Sequence, residues 1–195
     1  MNESININRP VTIYISAASD LMAEREALGR MIAALPVTLA WRIVQTPLGV
    51  ELLDLEAVRL ADLYLLVLGG DIRAPVGLEW HTAHHARRPS LAFLKKGLAR
   101  TLAGQAFVRD VNVAWQPFTN AADLSRQGAR ALAEHLIHQA VHYVLTPAEV
   151  EQLAALHPTE TKPTPPTKSE DAGHSAVILS RERFMPSDGV IVGES

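Results

Sequence analysis

Residues 62–70 read Asp-Leu-Tyr-Leu-Leu-Val-Leu-Gly-Gly, and this stretch decides the fold class of the chain. The six residues after Asp62 are apolar or aromatic without alternation, so the strand that they predict is buried on both faces. Strands of this kind are typical of parallel sheets, which helices cover on each side. The stretch therefore predicts a central strand of an α/β protein, ending in the pair Gly69-Gly70.

On either side of this strand, sequence patterns typical of strands alternate with patterns typical of helices. Further strand signals lie at residues 11–16, 38–44, 90–94 and 115–118. The clearest helix signals lie at residues 20–35, 51–61, 77–87 and 122–145. Five strands and five helices in alternation predict a flavodoxin-like (Rossmann-like) three-layer sandwich with a parallel five-stranded sheet, occupying residues 1–156.

The composition excludes several classes of protein. The chain has 195 residues, of which 48% are hydrophobic and 20% charged, as expected for one globular domain with a small appendage. It has no Cys, which excludes a disulfide scaffold, a cysteine-ligated metal site and a cysteine nucleophile. Eighteen basic and 21 acidic residues give a net charge of -3, so no bulk electrostatic attraction to nucleic acid or to an anionic membrane is expected.

The first ten residues lack the basic start and apolar run of a signal peptide. No window approaches the roughly 18 consecutive apolar residues that a membrane span needs. We therefore expect a cytoplasmic chain without a membrane or nucleic-acid partner.

The composition changes abruptly near His157. Residues 157–174 are rich in Pro, Thr, Lys and Glu and predict a disordered linker. Residues 175–195 contain two short β-prone runs around a Pro-Ser-Asp-Gly turn signal, and about twenty residues cannot build a core alone. We expect a flexible tail that docks on another protein component.

Ligands of such sheets bind beyond the carboxyl ends of the strands, in the loops that lead into helices. Three predicted loops qualify, at residues 16–20, 69–75 and 95–97, and none has the pattern of a P-loop or a GxGxxG fingerprint. A Lys95-Lys96 pair in the third loop fits an anion contact or an ordinary surface turn. The candidate ligand-binding residues are Ser16, Ser19, Asp20, Gly69, Gly70 and Asp71, although Ser19 fits a helix N-cap equally well.

Glu79 is the most informative single residue. On a helical wheel of residues 77–87 it shares one sector with Ala83 and Ala86, and small residues of this kind usually face the sheet. A carboxylate in the first turn of that helix, on its inward face, lines the pocket at the end of the strand that precedes it. The alternative is a helix-start carboxylate that interacts with free backbone N–H groups.

No metal site is predicted. Two histidine stripes have helical spacing. The first has no carboxylate on its own face and favours a solvated helix surface, and the second favours a polar outer face or a pH-sensitive contact over a metal site. The three tryptophans are too few and too scattered for a base-stacking platform, and packing is the better interpretation. The stripes are His81, His84 and His85, then His135, His138 and His142; the tryptophans are Trp41, Trp80 and Trp115.

Four stretches carry a resemblance to a known family. Residues 11–26 (VTIYISAASDLMAERE) resemble the opening strand and helix of Domain of Unknown Function family 4062, whose members begin with a strand, a Ser-rich turn and an acidic-Arg-Glu helix start. Residues 56–62, 77–83 and 88–93 are similar to later segments of that family. The resemblance covers about residues 9–96, roughly half of the chain.

That family is in turn similar to TIR domains and to nucleoside 2-deoxyribosyltransferases, which share a flavodoxin-like sheet. The resemblance implies that Glu79 matches the catalytic carboxylate that acts on an N-glycosidic bond, with Asp20 or Asp71 orienting ribose hydroxyls. It implies a TIR-like module of a bacterial defence or signalling system that recognises a nucleotide such as NAD as substrate and needs no cofactor.

Two other functions stay open. Ala17 and Ala18 stand where the family usually has a richer Ser/Thr turn, so a catalytically inactive adaptor, whose tail at residues 175–195 docks on a partner, is the main alternative. A housekeeping nucleoside deoxyribosyltransferase or hydrolase is the second. Self-association into a homo-oligomer is compatible with each of them.

Overall fold

The computed structural model describes residues 9–49 and 52–157. Its strands are β1 (Val11–Ala17), β2 (Trp41–Gln45), β3 (Leu63–Leu68), β4 (Ser90–Lys95) and β5 (Trp115–Phe118). Its helices are α1 (Met22–Ala33), α2 (Leu55–Leu60), α3 (Ala74–His85), α4 (Leu102–Asp110), α5 (Ala121–His138) and α6 (Pro147–Ala154), with a 3₁₀ turn at Ser19–Leu21.

The five strands form one parallel sheet in the order β2-β1-β3-β4-β5. Ile13 of β1 pairs with Ile43 of β2 on one side and with Leu63 of β3 on the other. This order confirms the flavodoxin-like class. From β1 the chain moves outward to β2, and from β3 it moves the opposite way to β4, so the topological switch point lies between β1 and β3.

The core has two halves because successive side chains of a strand point to opposite faces of the sheet. Ile13, Ile15 and Leu65 belong to the half packed against α1, α5 and α6. Tyr14 and Tyr64 belong to the other half, which packs against α2, α3 and α4. All six residues of β3 are buried, as predicted for a strand covered on both faces.

Side-chain caps mark the start of four of the helices. Four helices begin after a residue whose side-chain oxygen accepts a hydrogen bond from a backbone N–H of the first turn, and this stabilises the helix start. These residues are Asp54 before α2, Thr101 before α4, Asn120 before α5 and Thr146 before α6. Ser19 does not have this role: it lies inside the 3₁₀ turn, and no side chain caps that turn or α1.

Helix α3 begins earlier than predicted. It starts at Ala74 rather than Gly77, because Pro75 fits the first turn, where its missing N–H costs nothing. The amide N–H of Gly77 already donates to the Arg73 carbonyl oxygen, at 3.0 Å. Glu79 therefore lies in the second turn of α3 and not in the first.

Other elements also differ from the predictions, among them α2, which begins at Leu55 rather than residue 51. Strand β2 begins at Trp41, three residues later than predicted, and α4 falls where no helix was assigned. Helix α5 ends at His138 instead of Leu145, because residues 139–145 form a turn with Val144 at φ 54°. The next helix, α6, starts with a capping box between Thr146 and Glu149.

The predicted tail (175–195) and all but the first residue of the predicted linker (157–174) lie outside the described residues. Within the described ranges, no helix has the length and apolar character needed to cross a membrane.

Candidate functional site

Glu79 lies on the sheet-facing side of α3. Val76 and Ala83, which precede and follow it at helical spacing, are also buried, so α3 presents this face to the sheet. The side chain of Glu79 has 0% exposure. The predicted inward orientation is confirmed, and the alternative of a helix-start carboxylate is wrong because the first turn of α3 has no acidic residue.

Three hydroxyl groups hold the carboxylate of Glu79. The Tyr14 hydroxyl donates to Oε1 at 2.6 Å. The Ser16 hydroxyl donates to Oε2, and the Thr46 hydroxyl donates to the same oxygen at 2.7 Å. Tyr14 and Ser16 are two residues apart on β1 and therefore point to the same face, and Thr46 follows the end of β2. Three hydroxyl groups, two from β1 and one from the end of β2, thus fix both carboxylate oxygens at the carboxyl edge of the sheet.

The electrostatics of this carboxyl group are set by burial and by its donors. Burial raises the pKa of Glu79 above its ordinary value, while the hydrogen bonds from Ser16, Tyr14 and Thr46 and the charge of Arg25 act in the opposite direction. Burial also raises the pKa of Tyr14, and its hydrogen bond to Glu79 adds to that effect. Tyr14 is therefore a hydroxyl donor at every physiological pH.

Arg25 lies behind this cluster. It is 4% exposed. Its Nη2 donates to the Thr46 carbonyl oxygen, and its Nε donates to the Gln45 side-chain oxygen at 3.2 Å. A guanidinium group is thus connected to Glu79 through a single residue, Thr46.

Of the predicted ligand-binding residues, the structure brings only Ser16 into contact with Glu79. Ser19 and Asp20 follow β1, where both are exposed. A Cβ atom added to Gly69 would lie 3.5 Å from Asp20 Oδ2, so the loops after β1 and β3 meet at the switch point. Arg73 Nη1 also reaches the Ser19 hydroxyl at 3.5 Å.

Gly70 and Asp71 lie in the loop between β3 and α3 and are held by the start of α4. The Thr101 N–H donates to the Gly70 carbonyl oxygen at 2.9 Å, and the Thr101 hydroxyl donates to Asp71 Oδ1 at 2.5 Å. The carboxylate of Asp71 is thereby oriented by Thr101.

Tyr14, Thr46 and Arg25 are the site residues that sequence reasoning did not single out. The i, i+2 spacing of Tyr14 and Ser16 on a predicted strand was a usable signal for a shared face. No local pattern relates Thr46 to Glu79, because 33 residues separate them along the chain. Their contact follows only from the packing of α3 over β1 and β2.

The other residues singled out from the sequence have ordinary environments. His81, His84 and His85 are exposed on α3, and no three metal-ligating side chains gather anywhere in residues 9–49 and 52–157. Lys95 donates to Glu24 at 2.7 Å, so its charge is paired. Trp41, Trp80 and Trp115 are partly buried and pack against the core, as predicted.

Two surface grooves lie along α5, on the opposite side of the sheet from Glu79. One is polar and includes Asp123, Arg126 and Glu134, and the other runs between α1 and α5 beside Met31. Neither includes a residue of the Glu79 cluster.

The arrangement suits one kind of chemistry. An ionised carboxylate in a dry site, fixed by three donors, stabilises a positive charge that develops nearby more strongly than a carboxylate in water. No model of a known protein family and no curated protein matches this chain.

Proposed function

We propose that this chain is a TIR-like module of a bacterial defence or signalling system that binds NAD or a related nucleotide and cleaves its N-glycosidic bond with Glu79. The observation behind this proposal is a buried carboxylate at the carboxyl edge of a flavodoxin-like sheet, held by Tyr14, Ser16 and Thr46. The adjacent switch point is where such sheets bind ligands. The resemblance to the family quoted above supports the choice of a nucleotide.

The chemistry needs a carboxylate. In NAD the bond between ribose C1′ and the pyridinium nitrogen breaks, and its electron pair leaves with nicotinamide, which becomes neutral. The ribosyl group that remains has the character of an oxocarbenium ion, which a carboxylate stabilises. Water then adds to C1′ and releases one proton, so the products are ADP-ribose, nicotinamide and H⁺. Glu79 acts in its ionised form.

The hydroxyl cluster prepares Glu79 for this role. Tyr14, Ser16 and Thr46 orient the two carboxylate oxygens before substrate arrives. The side chain has 0% exposure, so substrate reaches it only after part of this hydroxyl shell separates from the carboxylate. Ser16 and Thr46, at the strand ends, are the donors nearest to the loops.

The remaining predicted residues are proposed to bind the nucleotide. Asp20 and Asp71 lie on the two loops that flank the switch point, and carboxylates there can accept hydrogen bonds from ribose hydroxyls. Ser19 and Gly69 lie where the loops after β1 and β3 meet, and the Ser19 hydroxyl and the backbone of Gly69 and Gly70 are proposed to contact the nucleotide there.

The test is nicotinamide release from NAD by purified full-length protein at high concentration, with Glu79→Gln as the variant. Glu26→Gln, on the exposed face of α1, is the matched control for loss of one carboxylate. We expect turnover in the wild type and in the control, and a loss of about a hundredfold or more in Glu79→Gln. Unchanged turnover in a folded Glu79→Gln variant contradicts the assignment of Glu79.

A second experiment uses free deoxynucleosides as substrates. Turnover of these without a partner protein favours the alternative function, a nucleoside deoxyribosyltransferase.

A second function is an inactive adaptor, and the full burial of Glu79 favours it. In that case Glu79 only stabilises the fold, and the chain acts through protein contacts of residues 175–195. The wild type would then release no nicotinamide, and a chain ending at His157 would lose its partner in a pull-down while Glu79→Gln retains it.

A further inference from the structure

We infer that Arg25 is a positioning residue for Glu79: its buried guanidinium fixes Thr46, and the hydroxyl of Thr46 holds one oxygen of the Glu79 carboxylate. The inference rests on the proposed function for its catalytic consequence. Its structural part, the hydrogen bonds from Arg25 to Thr46 and from Thr46 to Glu79, stands on the contacts of the folded protein alone.

The first step is geometric. Arg25 comes from α1, on the opposite face of the sheet from α3, and reaches around the carboxyl end of β2. There its Nη2 donates to the Thr46 carbonyl oxygen and its Nε to the Gln45 side chain. The Thr46 hydroxyl donates to Glu79 Oε2 at 2.7 Å. A displacement of the guanidinium therefore moves the residue that orients Glu79.

The second step concerns charge. Among the described residues, no carboxylate lies within ion-pair distance of Arg25. The carboxylate whose charge acts on Arg25 is Glu79, and the two side chains are 4% and 0% exposed. Two opposite charges in a dry environment interact strongly even without direct contact, since little water screens them. Removal of the charge of Arg25 or of Glu79 leaves the other charge buried without an opposite charge.

Within residues 9–49 and 52–157, the other groups that act on Glu79 are neutral. Tyr14 of β1 and Tyr64 of β3 lie on the same sheet face, with ring centroids 6.0 Å apart. Burial raises the pKa of both tyrosines, so neither carries a charge in the range where a carboxyl group titrates. Arg25 is thus the positive charge that acts on Glu79.

The test compares the titration of Glu79 in the wild type, Arg25→Met, Arg25→Lys and Arg30→Met. The carboxyl signal of Glu79 is followed by carbon-13 NMR in full-length protein labelled at glutamate, and it is assigned by its absence from Glu79→Gln. Arg30→Met is the matched control, because Arg30 is an exposed arginine of the same helix.

We expect the titration midpoint of Glu79 to rise in Arg25→Met, and to rise by less in Arg25→Lys, which keeps the charge. Arg30→Met leaves it unchanged. An unchanged midpoint in Arg25→Met, or an equal rise in Arg30→Met, overturns the inference.

If Arg25→Met does not fold, the double variant Arg25→Met/Glu79→Gln tests whether the charges of Arg25 and Glu79 are coupled. It removes both charges, so a folded double variant supports the coupling, and an unfolded one overturns it. The catalytic consequence has its own readout: the acidic limb of the pH dependence of kcat moves to higher pH in Arg25→Met, and an unmoved limb overturns the positioning role. A wild type without turnover contradicts the proposed function, and the NMR result still decides the coupling.

Discussion

Replacement of Tyr14 by Phe tests the hydroxyl cluster most directly. The change removes one oxygen atom, which donates to Glu79 Oε1 at 2.6 Å, and keeps the ring that stacks on Tyr64 at 6.0 Å. A hydrogen bond to a charged acceptor stabilises a protein by about 1.5–3 kcal/mol, and one between neutral groups by about 0.5–1.5 kcal/mol. We therefore expect the free energy of unfolding to fall by about 2 kcal/mol when Glu79 is ionised and by about 1 kcal/mol when it is protonated.

The sign of the pH dependence follows from the raised pKa of Glu79. The folded protein holds this proton more tightly than the unfolded chain, so the contribution of the group to stability is complete below the unfolded pKa and is lost as the pH rises through the folded pKa. Tyr14→Phe removes a donor to the ionised form and raises the folded pKa further. The difference in stability between wild type and variant therefore grows as the pH rises.

The assay is urea unfolding between pH 4 and pH 8, where a loss of 2 kcal/mol lowers the midpoint by about 1 M. Tyr64→Phe is the control, because the Tyr64 hydroxyl is buried on the same sheet face but is not one of the donors to Glu79. Its loss is expected to destabilise the protein less than loss of the Tyr14 hydroxyl. Equal destabilisation by the two variants, or a Tyr14→Phe penalty that does not change with pH, would refute the reasoning.

Two further predictions concern the scaffold. Glu149 accepts hydrogen bonds from the backbone N–H groups and from the hydroxyls of Thr38 and Thr146. These bonds lower the pKa of Glu149 to about 2 from an ordinary 4.5. The contribution of Glu149 to stability is therefore present above pH 4.5 and is lost as the pH falls toward 2. Glu149→Gln is expected to lower the free energy of unfolding by about 1–2 kcal/mol at pH 7 and by less at pH 3, and a pH-independent loss would contradict this. Gly104→Ala places a Cβ 3.0 Å from a backbone oxygen of the β3–α3 loop and should cost about 1–2 kcal/mol, whereas Gly29→Ala, with 3.7 Å to its nearest neighbour, should gain about 1 kcal/mol. Thermal melts that rank the two alanine variants in the reverse order would contradict the second prediction.

The strands were predictable because burial on both faces leaves a continuous apolar run. Residues 62–70 therefore indicated a central parallel strand, which the structure places as β3 between β1 and β4. The ends of the helices were harder to predict, because the helical spacing of apolar residues continues past the residue at which the helix ends. The apolar spacing of α5 runs on to Leu145, although Thr146-Pro147-Ala148-Glu149 is a capping-box signature that marks a new helix start.

Local sequence patterns predicted the orientation of Glu79 but not its hydrogen-bond donors. A helical wheel correctly turned Glu79 toward the sheet, because helix geometry relates it to Ala83. The same wheel gives no partner for the carboxylate, since its donors come from β1 and from the end of β2 and meet it only when three elements pack together. The identity of those donors changes the chemical argument: an exposed helix-start carboxylate would be ionised and solvated, whereas Glu79 is dry and depends on hydroxyl donors and Arg25 for its charge. The N-glycosidic cleavage proposed above therefore requires that a substrate displace part of that hydroxyl shell without loss of the negative charge on Glu79.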